Sequence, residues 1–326
     1  MGHVGLDIGT ANLVSAFMND NEEIEYKIQR DAYIEIERNR YTDKILQESG
    51  VQYVEYNNKT FVLGTNAFEL ANVFNRECQR PMKDGLISHD EAESVPVIEL
   101  LIHSLIGDGK EGDICCFSIP AKAIDSDKEV FYHEGLFKQL ISNQGYNPIT
   151  INEAFAVILS ELSEDKYTGI AISFGAGLTN VSVSYMGTEC VSFSVNRGGD
   201  WIDKQVSTIL GIPASRVAGE KENEEIDLCR PSGQFEVALS LTYKALIDYV
   251  VNLIAERLVK SKKVPYFKEP INIICSGGTS LAKGFIELFN DKFKKEDFPI
   301  KIKEIKLAQN PLYAVAKGCL LSALSS

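Results

Sequence analysis

Two stretches of this sequence share one layout, and that repetition constrains the fold more than any other feature. The first, Val4-Gly5-Leu6-Asp7-Ile8-Gly9-Thr10-Ala11-Asn12, is an apolar strand that runs into an Asp and a turn of small residues, after which residues 13–17 read as a returning strand. The second, Gly169-Ile170-Ala171-Ile172-Ser173-Phe174-Gly175-Ala176-Gly177-Leu178-Thr179-Asn180-Val181, repeats strand, glycine turn, Asn and return. With Gly9 set against Gly175 and Asn12 against Asn180, the second turn is two residues longer. Small residues allow backbone N–H groups to approach an anion closely, and a carboxylate at Asp7 would then serve a metal's water shell. Either stretch alone also reads as an ordinary tight hairpin. Two of them, about half a chain apart, predict two similar lobes that face one ligand.

A chain of 326 residues is too long for one small core and suits two domains. Its net charge of −13 argues against broad contact with nucleic acid or anionic lipid, since both need a basic surface. Lys260, Lys262 and Lys263 form a local basic patch that reads as a solvated helix end. The seven cysteines show no zinc spacing, and Cys115 and Cys116 sit in an apolar run as small core residues would. Reduced thiols, and with them a cytoplasmic location, are the simplest expectation. The N-terminus has no basic region followed by an apolar core, so no signal peptide is expected. No apolar run approaches the roughly 18 residues that span a bilayer.

Between these landmarks the pattern alternates strands and helices, which predicts an α/β layout. Residues 24–28 alternate as a strand, residues 30–50 are charged and irregular, and residues 51–63 form a hairpin around Asn57-Asn58. A short helix over 67–74 closes what reads as a small α+β insertion. Helices are expected over 90–106, over 127–143 with Ser126 as cap, and over 153–162. Strands are expected over 114–120, 148–151, 190–195, 271–275 and 300–305. Residues 214–230 are charged. Residues 235–259 predict a long helix in which Val237, Leu241, Ala245 and Tyr249, at four-residue spacing, read as a buried stripe. The strand ending in Ser276-Gly277-Gly278-Thr279-Ser280 feeds a helix expected over 281–293, a ready anion or nucleotide site. A last helix is expected over 311–324, with Pro311 in its first turn.

Five elements then occur in one order: Asp7-Ile8-Gly9-Thr10; Asn152-Glu153-Ala154-Phe155-Ala156; Gly175-Ala176-Gly177-Leu178-Thr179; Ser276-Gly277-Gly278-Thr279-Ser280-Leu281; and Asn310-Pro311-Leu312-Tyr313-Ala314-Val315-Ala316-Lys317-Gly318. In that order the chain resembles, over nearly its whole length, the superfamily of actins, heat-shock chaperones and sugar kinases. Arg80-Pro81-Met82-Lys83-Asp84-Gly85 and Arg197-Gly198-Gly199-Asp200 make it most similar to the MreB-type prokaryotic actins of cell shape, with magnetosome and archaeal actins as near relatives. The resemblance implies a two-lobed actin-like ATPase fold of duplicated ribonuclease-H-like domains, each lobe with a smaller α+β insertion. Lobe I would hold 1–151 and 311–326, with its insertion at about 30–80. Lobe II would hold 152–310, with its insertion at about 200–262.

The same resemblance implies ATP or GTP in the cleft, with Mg²⁺ among its phosphates. Gly9, Thr10, Ala11 and Asn12 would cradle the phosphates from one side, and Gly175, Ala176, Gly177, Leu178, Thr179 and Asn180 from the other. Asp7 would hold the metal through water. Glu153 stands where the family places its water-activating residue, although an acid in a first helical turn also serves the dipole. Gly199, Asp200, Gly277, Gly278, Thr279 and Ser280 would line the nucleotide. Arg216, Lys221 and Glu222 lie where adenine and ribose contacts are supplied. One departure stands out: Ser173 occupies a position where the family carries an Asp. Losing that charge should weaken metal binding, slow hydrolysis, or both, so ATPase activity is left open.

Two functions of different class follow from the resemblance. One is a cytoskeletal protein whose copies stack head to tail into filaments. The other is a non-filamentous nucleotide-dependent switch or adaptor, which Ser173 favours; a small-molecule kinase is a third. Nucleic acid is not an expected partner. Membrane contact stays open, but Met1-Gly2-His3 leads straight into the first strand, leaving no N-terminal amphipathic helix.

Overall fold

The computed structural model describes residues 2–40, 42, 44, 46, 50–57, 59–74, 78–88, 93–127, 130–222, 225–294 and 298–326. The chain opens as an antiparallel meander of β1 (Val4–Ile8), β2 (Asn12–Met18) and β3 (Ile24–Arg30). A separate small sheet, β4 (Tyr33–Ile36), β5 (Tyr53–Tyr56) and β6 (Lys59–Leu63), carries α1 (Gly64–Phe74). A hairpin of β7 (Met82–Lys83) and β8 (Leu86–Ile87) turns through Asp84 and Gly85, both at positive φ, the geometry that two-residue hairpins favour. After α2 (Ser94–Ile106), β9 (Ile114–Ile119) pairs in parallel with β1. α3 (Phe131–Asn143) then leads to β10 (Asn147–Asn152), parallel to β9.

The second half repeats this winding. α4 (Glu153–Glu161) leads to a meander of β11 (Gly169–Phe174), β12 (Thr179–Tyr185) and β13 (Thr188–Val195). α5 (Gly199–Leu210), α6 (Ala214–Lys221) and the 28-residue α7 (Gly233–Lys260) follow. β14 (Ile271–Ser276) pairs in parallel with β11 and passes into a 3₁₀ turn, Gly278–Leu281. α8 (Phe285–Phe293), β15 (Ile302–Leu307) and α9 (Ala314–Leu324) complete the chain. The sheet orders, β10-β9-β1-β2-β3 and β15-β14-β11-β12-β13, are the same sequence of roles, so the duplication expected from the two hairpins extends to whole five-stranded sheets.

Strand alternation decides what covers each face. Val4, Leu6 and Ile8 of β1 point into a core built with Ile98, Leu101 and Leu105 of α2. Gly5 points the other way, where an added Cβ would stand 2.2 Å from the Ala316 carbonyl oxygen, so α9 lies directly on β1. In the second sheet Ile170, Ile172 and Phe174 face a core with Tyr243, Leu246 and Phe289, and Ala171 faces a cluster that includes Val157 of α4. α4 and α9 cross where Gly318 meets Ala156: a Cβ on Gly318 would lie 1.9 Å from the Ala156 oxygen. Each side chain such as Leu101 or Ile172, wholly removed from water, contributes about 1.5–3 kcal/mol.

Several expectations need correction. The Val237, Leu241, Ala245 and Tyr249 stripe is not buried: Val237, Leu241 and Ala245 are exposed and Tyr249 half-buried, while Leu239, Tyr243, Leu246, Ile247 and Val250 face the core. Four-residue steps drift about 40° each around a helix, and here they trace the face opposite the core. The helix expected from 127 begins at Phe131, with Val130 at its cap position and no side-chain cap. Residues 281–293 split into the 3₁₀ turn and α8, separated by Gly284 in the left-handed region at φ 88°. Pro311 precedes α9, which starts at Ala314. The charged tracts 30–50 and 214–230 hold β4 and α6. Residues 41, 43, 45, 47–49, 58, 90–92, 128–129 and 223–224, on which parts of the expected tracts, hairpin and helices fall, lie outside the described residues. α7 is long and apolar enough to cross a membrane by length and composition, yet 56% of its most apolar window is buried.

Candidate functional site

A cleft of about 760 Å³ lies between the two sheets, and the glycine turn of each hairpin lines it. Strand register makes the turns equal in length. Ile8 pairs with Leu13 and Asp7 with Val14, while Phe174 pairs with Thr179 and Ser173 with Asn180. Gly9 N–H donates to the Asn12 carbonyl at 3.1 Å, and Gly175 N–H to the Leu178 carbonyl at 3.0 Å. Asn12 therefore corresponds to Leu178, not to Asn180, and the second turn is not longer. Asp7 and Ser173 are equivalent positions.

The two turns also meet. A Cβ on Gly177 would stand 2.4 Å from Gly85 N and 2.6 Å from Thr10 Oγ1. Gly85 N–H donates to Thr10 Oγ1 at 3.1 Å, so the β7–β8 hairpin caps the junction. Gly199 and Asp200 N–H groups donate to the Gly175 and Ala176 carbonyls at 3.0 and 2.9 Å, seating the start of α5 on the second turn. Ion pairs span the cleft mouth as well. Arg80 Nη1 reaches both oxygens of Asp200 at 2.9 and 3.1 Å, and Arg30 approaches Glu222 at 3.7 Å.

Asp7 and Glu153 share the floor. Asp7 Oδ1 accepts from Ser118 Oγ at 2.8 Å. Burial raises the Asp7 carboxyl above its usual range, with the Ser118 hydrogen bond opposing. Glu153, in the first turn of α4, is raised further, by burial first and then by the negative charge of Asp7, with a hydrogen bond from Ser173 opposing. Asn180 Nδ2 donates to Glu153 Oε2 at 2.7 Å, and its Oδ1 accepts from Ala121 N–H at 3.1 Å. Among the described residues no cation acts on either acid, and two such half-buried carboxylates form a donor set that fits a hydrated divalent ion.

Of the residues expected at the site, Asp7, Gly9, Thr10, Ala11, Asn12, Glu153, Ser173, Gly175, Ala176, Gly177, Leu178, Gly199, Asp200, Lys221, Glu222, Gly277, Gly278 and Thr279 line this one cleft. Thr179, Asn180 and Ser280 do not, and each is turned to another task. Thr179 Oγ1 donates to the Arg197 carbonyl at 2.7 Å, Ser280 Oγ to the Gly277 carbonyl at 2.7 Å, and Asn180 holds Glu153. Lys221 is committed to Asp203 at 2.7 Å and to the Gly199 carbonyl at 3.2 Å. Arg216 pairs with Glu220 on the outer surface and is not among the cleft residues. The sequence reading did not single out Arg80, Asp203 or Tyr243 as lining residues. Asp203 stands three residues after Asp200 on one helix face, a spacing that could have drawn notice.

Two identically wound sheets, crossed by paired helices and each offering a glycine turn to a shared cleft, define the two-lobed actin-like fold. Solved structures share it. The MamK double-helical filament aligns at TM-score 0.72 with 16% identity, covering 99% of this chain and 98% of that one. MreB5 of Spiroplasma citri bound to ADP aligns at 0.64 with 15% identity, covering 97% and 94%. The ethanolamine utilization protein EutJ from Carboxydothermus hydrogenoformans aligns at 0.56 with 14% identity, covering 98% and 89%. No protein of curated function matches the sequence. Within this class the chain belongs to the Volactin family, whose profile matches residues 2–323.

Proposed function

We propose that this protein binds a nucleoside triphosphate with Mg²⁺ in the cleft and stacks head to tail into filaments whose contacts follow nucleotide state. The observation that carries the reading is the meeting of two equal glycine turns, from equivalent strands of two lobes, at Gly177 and Thr10. Backbone N–H groups of such turns suit phosphate oxygens, and a ligand that bridges them ties lobe closure to occupancy. The likeness to a MamK filament, to MamK bound to AMPPNP and to MreB5 bound to ADP supports both halves of the proposal. The lobe boundaries we propose are 1–151 with 311–326, and 152–310.

In this reading Asp7 holds the ion's water shell. The ion supplies neutralisation of phosphate charge, which is most of what phosphoryl transfer asks of a protein. Glu153 orients the attacking water, held in place by Asn180 and Ser173. Gly277, Gly278 and Thr279 give the base side a close backbone approach. Ser173, equivalent to Asp7 in register, leaves the site one carboxylate short, so hydrolysis is slow while binding persists. That observation also favours the second reading, a non-filamentous nucleotide switch.

Cosedimentation with ATP, GTP, ADP and no nucleotide, beside equilibrium binding of a fluorescent ATP analogue, tests the proposal. Micromolar binding with pelleting that depends on the triphosphate supports it. Binding without pelleting at any concentration leaves the switch, and no binding removes both.

A further inference from the structure

Asp31 is a buried acid to which the nucleotide reading gives no task. It follows β3 directly and is 1% exposed. Its N–H donates to the Ala11 carbonyl of the first glycine turn at 2.9 Å, and its Oδ2 accepts from Met82 N–H at 3.0 Å, where the β7–β8 hairpin begins. One residue thus ties the first glycine turn to the hairpin that caps it. Its other oxygen, Oδ1, is buried with no hydrogen-bond partner among the described residues. Holding Met82 takes one acceptor and no charge, so an Asn would serve. A carboxylate sealed from water with one idle oxygen is costly unless a cation can reach it.

Arg80 is the cation at hand. Tyr33 and Gln79 exchange backbone hydrogen bonds at 2.8 and 2.9 Å, an antiparallel bridge that, with the Met82 bond, lays residues 79–82 beside residues 31–33. The Arg80 backbone is therefore pinned on both sides to the segment that carries Asp31. Its guanidinium is bonded elsewhere, with Nη1 on both oxygens of Asp200 in the first turn of α5. Both acids act on the Arg80 charge, Asp200 more than Asp31. Burial raises the Asp31 carboxyl well above its usual range, the Met82 hydrogen bond and the Arg80 charge oppose, and the Asp200 charge adds. Asp203 also acts on Arg80, but Lys221 holds it at 2.7 Å. Asp200 itself suits the positive end of the α5 dipole. That local role explains Asp200 but not the idle oxygen of Asp31.

We propose that Asp31 and Asp200 compete for Arg80, and that this competition sets how firmly the cleft closes on its nucleotide. With the cleft closed, Arg80 reaches across the mouth to Asp200. When α5 draws away, the guanidinium turns to the idle oxygen of Asp31, which makes the open arrangement less costly. One cation between two acids is then a two-state element that nucleotide binding biases. Asp31 is a positioning residue for the open state: it acts through Arg80 and is not among the residues that line the cleft. The inference rests on the nucleotide reading and adds to it the residue that opposes closure. Its signature is a pair of opposite signs, because removing Asp200 penalises the closed state and removing Asp31 penalises the open one.

The test is a pair of isosteric changes, each read with and without Arg80. Asp31→Asn keeps an oxygen for Met82 N–H and removes the charge; Asp200→Asn removes the competitor. Equilibrium binding of the fluorescent ATP analogue, and its release when chased with unlabelled ATP, are measured for the parent, for each variant, and for each combined with Arg80→Gln. Thermal unfolding confirms that each chain is folded, and Asp31→Ser repeats the measurement with a smaller acceptor. Asp200→Asn weakens binding about tenfold and speeds release. Asp31→Asn tightens binding at least about threefold and slows release. In the Arg80→Gln chain both changes lose their effect. A plain loss of repulsion toward the phosphates would instead tighten both variants alike and persist without Arg80, and that result overturns the competition. So does an Asp31→Asn chain that binds as the parent does or more weakly, which would leave Asp31 as a brace for the hairpin. If the parent takes up no analogue, the nucleotide reading falls first and this inference with it.

Discussion

Asn180 reaches Glu153 across the base of the cleft, Nδ2 to Oε2 at 2.7 Å, while its other amide atom accepts a hydrogen bond from Ala121 at 3.1 Å. One side chain of β12 thus holds an acid at the start of α4 and the loop after β9. Asn180→Ala leaves a buried carboxylate oxygen and a backbone N–H without those partners, and should cost about 1–3 kcal/mol in chemical denaturation. Phosphate release should fall further than nucleotide affinity does. Equal losses in both would assign Asn180 to the phosphates rather than to Glu153.

Ser173 donates to Glu153 from the position equivalent to Asp7. Ser173→Asp would add a third carboxylate to a pair already raised by burial. The variant should melt below the parent in chelator, recover with Mg²⁺ and nucleotide, and release phosphate faster than the parent. Thermal unfolding with and without the cation, together with single-turnover phosphate release, checks both arms. Unchanged melting in chelator and unchanged turnover would detach Ser173 from the metal.

Gly177→Ala places a methyl where Gly85 N and Thr10 Oγ1 stand at 2.4 and 2.6 Å. The closed cleft cannot take it unless the lobes part. Nucleotide affinity should drop by roughly tenfold or more, since only misfit closure remains to bind it. Isothermal titration measures this. The fold itself should persist, because neither sheet is touched.

Gly318→Ala acts on the helix crossing instead. Its methyl would meet the Ala156 oxygen at 1.9 Å, backbone that cannot swing aside. A loss of more than about 3 kcal/mol is expected from overpacking. Denaturant midpoints measure it, and a loss under about 1 kcal/mol would show that the helices separate easily.

His133 is buried against Phe137, and its Nδ1 accepts from Ile87 N–H at 3.3 Å. Burial lowers its pKa from 6.5 to about 3. The imidazole is neutral in both states above 6.5, so the stability it carries is complete there. It is lost as pH falls from 6.5 toward the folded value, because only the unfolded chain takes up the proton. The slope is about 1.4 kcal/mol per pH unit. His133→Leu should be less stable at pH 7.5, yet lose less between pH 6.5 and 5. Parallel curves for parent and variant would mean that His133 is accessible to protons in the fold.

Local pattern and spacing carried the duplication, because Asp7-Ile8-Gly9-Thr10 and Ser173-Phe174-Gly175-Ala176 write strand and turn into adjacent residues. The register between Ser173 and Asn180 is a pairing across the hairpin, which residue identity does not encode. Matching Asn12 with Asn180 by letter therefore gives the wrong turn length. α7 misled for another reason. It is apolar on two faces, and periodicity alone does not say which one the sheet covers, so Val237 and Leu241 were placed inside. β4 and α6 sit in charged tracts where tertiary packing, not propensity, sets the structure. Arg80 and Asp200 lie 120 positions apart, and only the folded lobes make them partners.

The seating of α9 on Gly5 has a consequence for biosynthesis. The opening strand receives its cover from residues 314–324, so the first sheet to leave the ribosome must wait, one face bare, until α9 has been made. Its Val14 and Ala16 surface, which packs against Ala316 and Leu320 when folding is complete, is meanwhile open to chaperones or to wrong partners. A nascent chain of this design covers its opening sheet only when α9 arrives.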